Sequence, residues 1–330
     1  MTSIHDVAAL AKVSIKTVSR VVNRAPNVSD DLRARVQQAI DALGYRPNQS
    51  ARRLAGGRSF MIAFLYNNPA PGYVSRIQMG AAWRCRDKGY HLVVEPISPD
   101  GTERFEVLDR LVAALRPDGV LLVPPLSDDE GLLARLADMR LPCARIAGSL
   151  AGDGFNIHTP ERAAGRMMAD HLIGLGHRRI GVITPPPSHR AALRRVEGFR
   201  EGLAAAGIAH APDLFVEGRF DFASGAEAGA RLLERDAPPT AIFATNDEMA
   251  LGVLTLAHRI GLRVPEDLSV TGFDDTTASL TAWPPLTTVR QPLEEMGRAV
   301  IEALVDGPIE MPEFLFTLVQ RGSSGPAPAL

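Results

Sequence analysis

Between Ser14 and Asn23 the chain gathers side chains whose chemistry suits the grooves of duplex DNA. On a helix opened by Ser14, the residues Ile15, Lys16, Thr17, Ser19, Arg20 and Asn23 face outward. Lysine or arginine there reaches guanine O6 and N7, and hydroxyls or an asparagine amide hold phosphates or bases. The other face is apolar: Val7, Ala8, Ala11, Val13, Val18 and Val21 can close a small core. The same pattern also fits the solvated side of an ordinary three-helix bundle, so polarity alone leaves both readings open.

These residues need short helices and a tight turn to position them. From Ile4 to Leu43 apolar residues recur at helical spacing, interrupted by Lys12-Val13-Ser14 and by Asn23 to Asn27. Ser14 and Ser29 suit helix N-caps, Asp30 and Asp31 favour the first turn of the third helix, and Gly44 stops it. The extended Tyr45-Arg46-Pro47-Asn48 then leads to a short helical stretch, Gln49 to Ala55, ended by Gly56-Gly57. So short a helix does not persist alone in water, so it reads as a hinge that forms on a partner.

From Phe60 onward the texture changes to strands alternating with amphipathic helices, which predicts parallel sheets built from right-handed crossovers. Strands are expected at 61–66, 91–95, 119–123, 144–147, 179–183, 240–244 and 268–271, too many for one small sheet. The fold class is therefore α/β: an N-terminal three-helix helix-turn-helix domain and hinge, then two doubly wound parallel-sheet subdomains. Ligands of such sheets sit beyond the carboxyl ends of the strands. The Gly-, Ser- and Pro-rich stretch from Gly322 to Leu330 is expected to be disordered.

Charge separates along the chain although the net charge of the 330 residues is only −2. Residues 1–58 hold ten Lys and Arg against four Asp, a net of +6, and the remainder holds 26 bases against 34 acids, a net of −8. Only the front module is thus suited to a polyanion. No apolar run approaches the roughly 18 residues of a membrane span, and the opening residues lack a basic segment followed by an apolar one, so the expected location is the cytoplasm. Cys85 and Cys143 are far apart in sequence and outside any Cys-x-x-Cys pattern, which suggests neither a disulfide nor a metal site, and no cofactor is expected. Nucleotide-binding glycine loops, the nucleophile elbow and the His-Glu-x-x-His motif are all missing, which argues against an enzyme. A transport receptor would suit the rear part but leaves the basic front unexplained.

The front motif, Asp6-Val7-Ala8 with Val13-Ser14 and Thr17 to Asn23, resembles the LacI/GalR (lactose-repressor) family of bacterial regulators. The resemblance continues through Gly44 to Asn48, Ala51 to Leu54, His171 to Ile180, Ala244 to Asp247 and Pro285 to Pro292, nearly the whole chain. It departs at Lys12, where the family usually has glycine, so lysine must adopt the turn geometry at a modest cost in stability. The resemblance implies DNA contacts by Ser14, Ile15, Lys16, Thr17, Ser19 and Arg20, with Asn23, Asn27, Tyr45, Ala51 and Arg52 as further backbone or groove contacts. It also implies that Leu54 wedges into the minor groove.

For the rear part it implies a core like a periplasmic sugar-binding protein, with an effector between the subdomains. The matching positions are Arg195, Phe220, Asn246 and Asp274, with Tyr73, on the loop after the first strand, closing the other side. Each has a structural alternative: a surface cation for Arg195, core for Phe220, an N-cap for Asn246, a turn residue for Asp274. Where the family commonly carries an Asp-Asn or Asp-Asp pair near the crossover into the second subdomain, this sequence has Thr159-Pro160-Glu161, with His158 an ambiguous neighbour, and Ala147 stands where a relative places a hydroxyl-binding Asp. The expected organisation is a DNA-binding domain over 1–46, a hinge over 47–58 and an effector and dimerisation core over 59–321. Within the core, subdomain 1 takes about 59–158 and 291–318, and subdomain 2 takes 159–290. The expected activity is that of a homodimeric repressor on near-palindromic operator DNA, released by a small sugar-like effector that closes the cleft and shifts the hinge helices. The end of the chain lacks leucine heptads, so no tetramer through a C-terminal coiled coil is expected.

Overall fold

The computed structural model describes residues 2–22, 28–45, 58–67, 70–98, 103–152, 154–209, 211–307, 310 and 312–328. They form two compact units, Met1–Ser59 and Phe60–Leu330.

The first unit holds three helices, α1 (Ile4–Ala11), α2 (Ile15–Val22) and α3 (Asp30–Leu43). Ser3 and Asp6 close α1 with a reciprocal capping box that satisfies two amides at its N-terminus. Lys12 ends α1 at φ 51°, in the left-handed region that lysine adopts at a cost. Ser14 then accepts the Thr17 amide at 3.1 Å and opens α2. At α3 the expectation of a capping serine is half met, because Ser29 occupies the N-cap but its side chain makes no capping bond. Gly44 stops α3 at φ 57°, as expected. Val7, Ala8, Ala11, Val18, Val21, Val36, Ala39 and Tyr45 form the core, with Val13 half-buried beside them. The hinge helix expected over 49–55 lies outside the described residues.

The second unit contains two parallel sheets. The first comprises β1 (Met61–Tyr66), β2 (His91–Pro96), β3 (Gly119–Leu122), β4 (Cys143–Ile146) and β5 (Phe155–Ile157), in the order β2-β1-β3-β4-β5. The second comprises β6 (Ile180–Thr184), β7 (Phe215–Glu217), β8 (Ala241–Ala244) and β9 (Ser269–Thr271), in the order β7-β6-β8-β9. Strands such as Ile62-Ala63-Phe64-Leu65 and Ala241 to Ala244 are fully buried, because helices cover both faces of a parallel sheet. The covering helices are α4 (Pro71–Asp87), α5 (Glu103–Leu115), α6 (Glu130–Asp138), α7 (Glu161–Gly174), α8 (Arg190–Ala205), α9 (Phe222–Leu233) and α10 (Asp247–Arg259). A short α11 (Thr277–Thr281), the antiparallel pair β10 (Thr288–Arg290) and β11 (Thr317–Val319), and α12 (Leu293–Asp306) complete the fold. Through α12 the chain returns to the first sheet, where the helix packs on α4 and on β3, β4 and β5. No helix among the described residues is long and apolar enough to cross a membrane.

The segment after Gly322, expected to be disordered, is packed as far as it is described. The Ser323 hydroxyl donates to the Val270 carbonyl at 2.6 Å and accepts the Thr287 amide at 2.8 Å. The Gly325 amide donates to the Ser269 hydroxyl at 3.0 Å, and the Ala327 amide to the Leu175 carbonyl at 2.8 Å. A serine and glycine composition reads as solvent-loving, yet here short hydroxyls act as cross-links to open backbone groups at the sheet margin. The fully buried His177, which contacts Thr240, Ser269 and the Gly325 carbonyl, anchors the same segment.

Candidate functional site

In the first unit, burial divides α2 lengthwise. Val18 and Val21 are buried, whereas Ser14, Ile15, Lys16 and Arg20 are exposed and Thr17 and Ser19 are half-buried. The Ser14 and Thr17 hydroxyls lie 2.9 Å apart at the head of the helix. The outward face expected from the sequence is therefore assembled on one short, capped element. Tyr45 lies elsewhere than on that face, because its ring is part of the core. Asn23, Asn27, Ala51, Arg52 and Leu54 lie outside the described residues.

In the second unit, the carboxyl ends of both sheets converge on a cavity of ≈ 30 Å³. Its walls come from the segments that follow β1, β3, β4, β6, β7, β9 and β10: Tyr73, Pro124, Ala147, His189, Phe220, Asp274 and Gln291. Glu161, Ala191, Ala192 and Arg195 complete it from α7 and α8. Tyr73 sits in the first turn of α4 rather than on a loop, since Pro71, whose fixed φ suits the first helical position, starts the helix ahead of it.

Arg195 is 4% exposed, and its donors meet protein partners. Its Nε and Nη2 donate to Glu161 Oε2 at 3.0 and 2.8 Å, and Nη1 donates to the Thr245 carbonyl. The guanidinium carbon lies 3.2 Å from the centre of the Phe273 ring. Across the cavity Asp274 accepts from the Gln291 amide at 2.6 Å, and burial holds its carboxyl well above the usual carboxylate range. Burial likewise raises the Tyr73 phenol, helped by the Asp274 and Glu161 carboxyls. His189 stacks on Phe220 with ring centres 4.5 Å apart. Burial, with Arg195 nearby, lowers its pKa to about 4, so the imidazole is neutral at ordinary pH.

Ala147, Phe220 and Asp274 have φ of 56°, 64° and 112°, a region that costs non-glycine residues of order 1–3 kcal/mol each. Three such residues lining one cavity, Ala147 from the first sheet and Phe220 and Asp274 from the second, are uncommon outside functional sites, and the rest of the fold holds them there.

Asn246 differs from its expected placement. It does not line the cavity: its Oδ1 caps α10 through the Met249 amide at 3.0 Å, and its Nδ2 donates to the Phe220 carbonyl at 3.0 Å. The N-cap alternative describes it, and through Phe220 it braces the stacked pair from behind. Arg195, Phe220, Asp274 and Tyr73 are brought together as expected. Glu161, His189 and Gln291 join them without having been proposed. Gln291 lay inside a recognised motif and Glu161 was visible only as a departure from one. His189 carried no signal, since its place depends on how β6 delivers the chain to α8.

Residues 3–48 match the family of bacterial regulatory proteins of the lacI type, and residues 169–324 match the periplasmic binding protein-like domain. The chain is 37% identical over 312 residues to the transcriptional regulator CelR of Thermobifida fusca, covering 92% of this chain and 91% of that one. The chain belongs to the LacI family of bacterial transcription regulators. Its structure superposes on that of the CelR–cellobiose complex with a TM-score of 0.73 at 32% identity, covering 98% of this chain and all of the other. On the lac repressor dimer bound to operator and the anti-inducer ONPF the TM-score is 0.80 at 31% identity, covering 98% and 99%. The relatives are DNA-binding regulators and repressors rather than enzymes, and this chain is a DNA-binding regulator of the same kind.

Proposed function

We propose that this protein is a cytoplasmic, homodimeric repressor that reads a near-palindromic operator and releases it when a small sugar-like effector binds its cleft. The observation that carries this reading is the pairing of a basic module, polar on one face of α2, with a cleft at the carboxyl ends of two sheets. Few polar groups converge there, among them Arg195, Asp274 and Gln291, beside the Phe220 and His189 rings. Such a composition suits the hydroxyls and C–H faces of a sugar.

In this mechanism Ser14, Ile15, Lys16, Thr17, Ser19 and Arg20 meet the major groove. Asn23, Asn27, Ala51, Arg52 and Leu54 act around the turn and hinge, and Tyr45 supports the helices from the core. A two-fold dimer matches two half-sites. A surface suited to pairing lies on the second subdomain, where Phe222 and Trp283, 44% and 81% exposed, flank a groove lined by Leu251, Leu254 and Ala282. The cavity of ≈ 30 Å³ is far below the roughly 300–1,000 Å³ of small-molecule sites, so the subdomains must part to admit ligand and close over it. Differential affinity for the two arrangements is what couples ligand to DNA.

The test is selection of duplexes from a random pool, followed by fluorescence anisotropy of the selected sequence with and without cellobiose, D-ribose and D-galactose. A near-palindromic selection and release by one of these sugars are expected. Equal affinity for every duplex at moderate salt would overturn the reading.

A further inference from the structure

The cleft contains one arginine, and its charge is already taken. Among the described residues lining the cavity, Arg195 is the base and Glu161 and Asp274 are the acids. Glu161 accepts two hydrogen bonds from Arg195, with both side chains at most 5% exposed. A third donor is held by the Thr245 carbonyl, and the flat face rests on Phe273. A carboxylate or phosphate approaching Arg195 therefore meets a neighbouring carboxylate. To bind, it must displace Glu161 and leave that carboxylate buried without a countercharge, with only the Thr159 hydroxyl donating to it, which is strongly unfavourable.

The remaining polar groups suit a neutral partner. His189 Nδ1 lies 3.2 Å from the Ser188 hydroxyl, while its Nε2 is buried with no hydrogen-bond partner among the described residues. A buried ring nitrogen without a partner is costly unless something supplies one, and a hydroxyl can donate to it or accept from it according to the tautomer. Asp274, paired with Gln291, offers a further site for a hydroxyl.

Resting on the reading that this cleft holds the effector, we propose that it selects an uncharged, hydroxyl-bearing ligand and rejects sugar acids and sugar phosphates. Glu161 sets that choice by neutralising Arg195, and His189 Nε2 hydrogen-bonds the ligand. Arg195 thereby serves as a structural strut under the ligand instead of an anion clamp.

The test uses the full chain and calorimetry, with D-gluconate, glucose 6-phosphate and inorganic phosphate as probes. The native chain should bind none of them saturably. Glu161→Gln, which frees the guanidinium, should bind D-gluconate at least about tenfold more tightly than the native chain, and adding Arg195→Lys should remove the gain. Glu161→Asp keeps the neutralising charge and should show no gain, which covers the case in which Glu161→Gln does not fold. Saturable binding of gluconate or a phosphate by the native chain that is lost in Arg195→Lys would overturn the proposal. So would a folded Glu161→Gln without gain, or a gain in Glu161→Asp. None of these measurements involves DNA, so a failure of operator control and a failure of ligand selection are told apart.

Discussion

Arg20 is exposed on α2 while Val18 and Val21 are buried, so its loss would remove the proposed groove contact without disturbing the core. Arg20→Ala should therefore cost roughly 1–3 kcal/mol of operator discrimination, visible when base-substituted operators are compared by anisotropy. An unchanged ranking of those operators would assign Arg20 to the phosphates. A second residue-scale consequence concerns His189, whose pKa falls from 6.5 to about 4 on folding. Below pH 6.5 the unfolded chain takes up a proton at this imidazole that the folded cleft refuses, so stability falls as pH drops from 6.5 toward 4. Comparing urea unfolding at neutral pH and at about pH 5, His189→Gln should lose less stability on acidification than the native chain, by roughly 1–2 kcal/mol. His171 and His177, also lowered by burial, remain in both proteins and cancel from the comparison. Legibility at this scale was uneven. Arg195, Phe220 and Asp274 were readable only as positions that the resemblance to the family marked for ligand contact. Glu161 and His189 were not, since the meaning of a carboxylate or an imidazole depends on what faces it across a gap the linear sequence does not encode.

At the scale of elements, the alternation of buried strands and amphipathic helices was plain from composition, because parallel sheets need continuous apolar strands. Of the three-residue strands, β9 was foreseen at 268–271 but β5, β7, β10 and β11 were not, as such short pieces carry little pattern of their own. The ordered segment after Gly322 escaped for a related reason: its packing comes from hydroxyls meeting backbone groups, and apolar periodicity is blind to that. The cleft itself depends on one helix crossing. A Cβ on Gly165 of α7 would overlap the Arg195 carbonyl of α8, and one on Gly198 of α8 would overlap the Arg162 carbonyl of α7. This close approach brings Glu161 at the start of α7 within reach of Arg195 on α8. Gly198→Ala should force the helices apart, costing roughly 1–3 kcal/mol in urea unfolding and weakening effector binding together. A variant with native stability and native binding would show that the crossing tolerates a methyl group.

Across the whole molecule, the division of charge, net +6 in residues 1–58 and −8 beyond, keeps the larger part from competing for the phosphate backbone. Affinity for DNA then depends on how many basic modules one assembly carries, and a single small module makes few phosphate contacts. Two modules on one duplex roughly double the counterions released, and so double the slope of log affinity against log salt. In the proposed dimer, the apolar groove beside Trp283 is the face that would bring two modules together. A tryptophan 81% exposed next to the half-exposed Phe222 is an uncommon surface for a chain that stays monomeric. Trp283→Asp places a charge in that patch without touching the core, so the chain should remain folded, sediment as a monomer and lose operator affinity. Its salt slope should fall toward half the native value. A variant that still sediments as a dimer with the native slope would show that the two copies meet through another face.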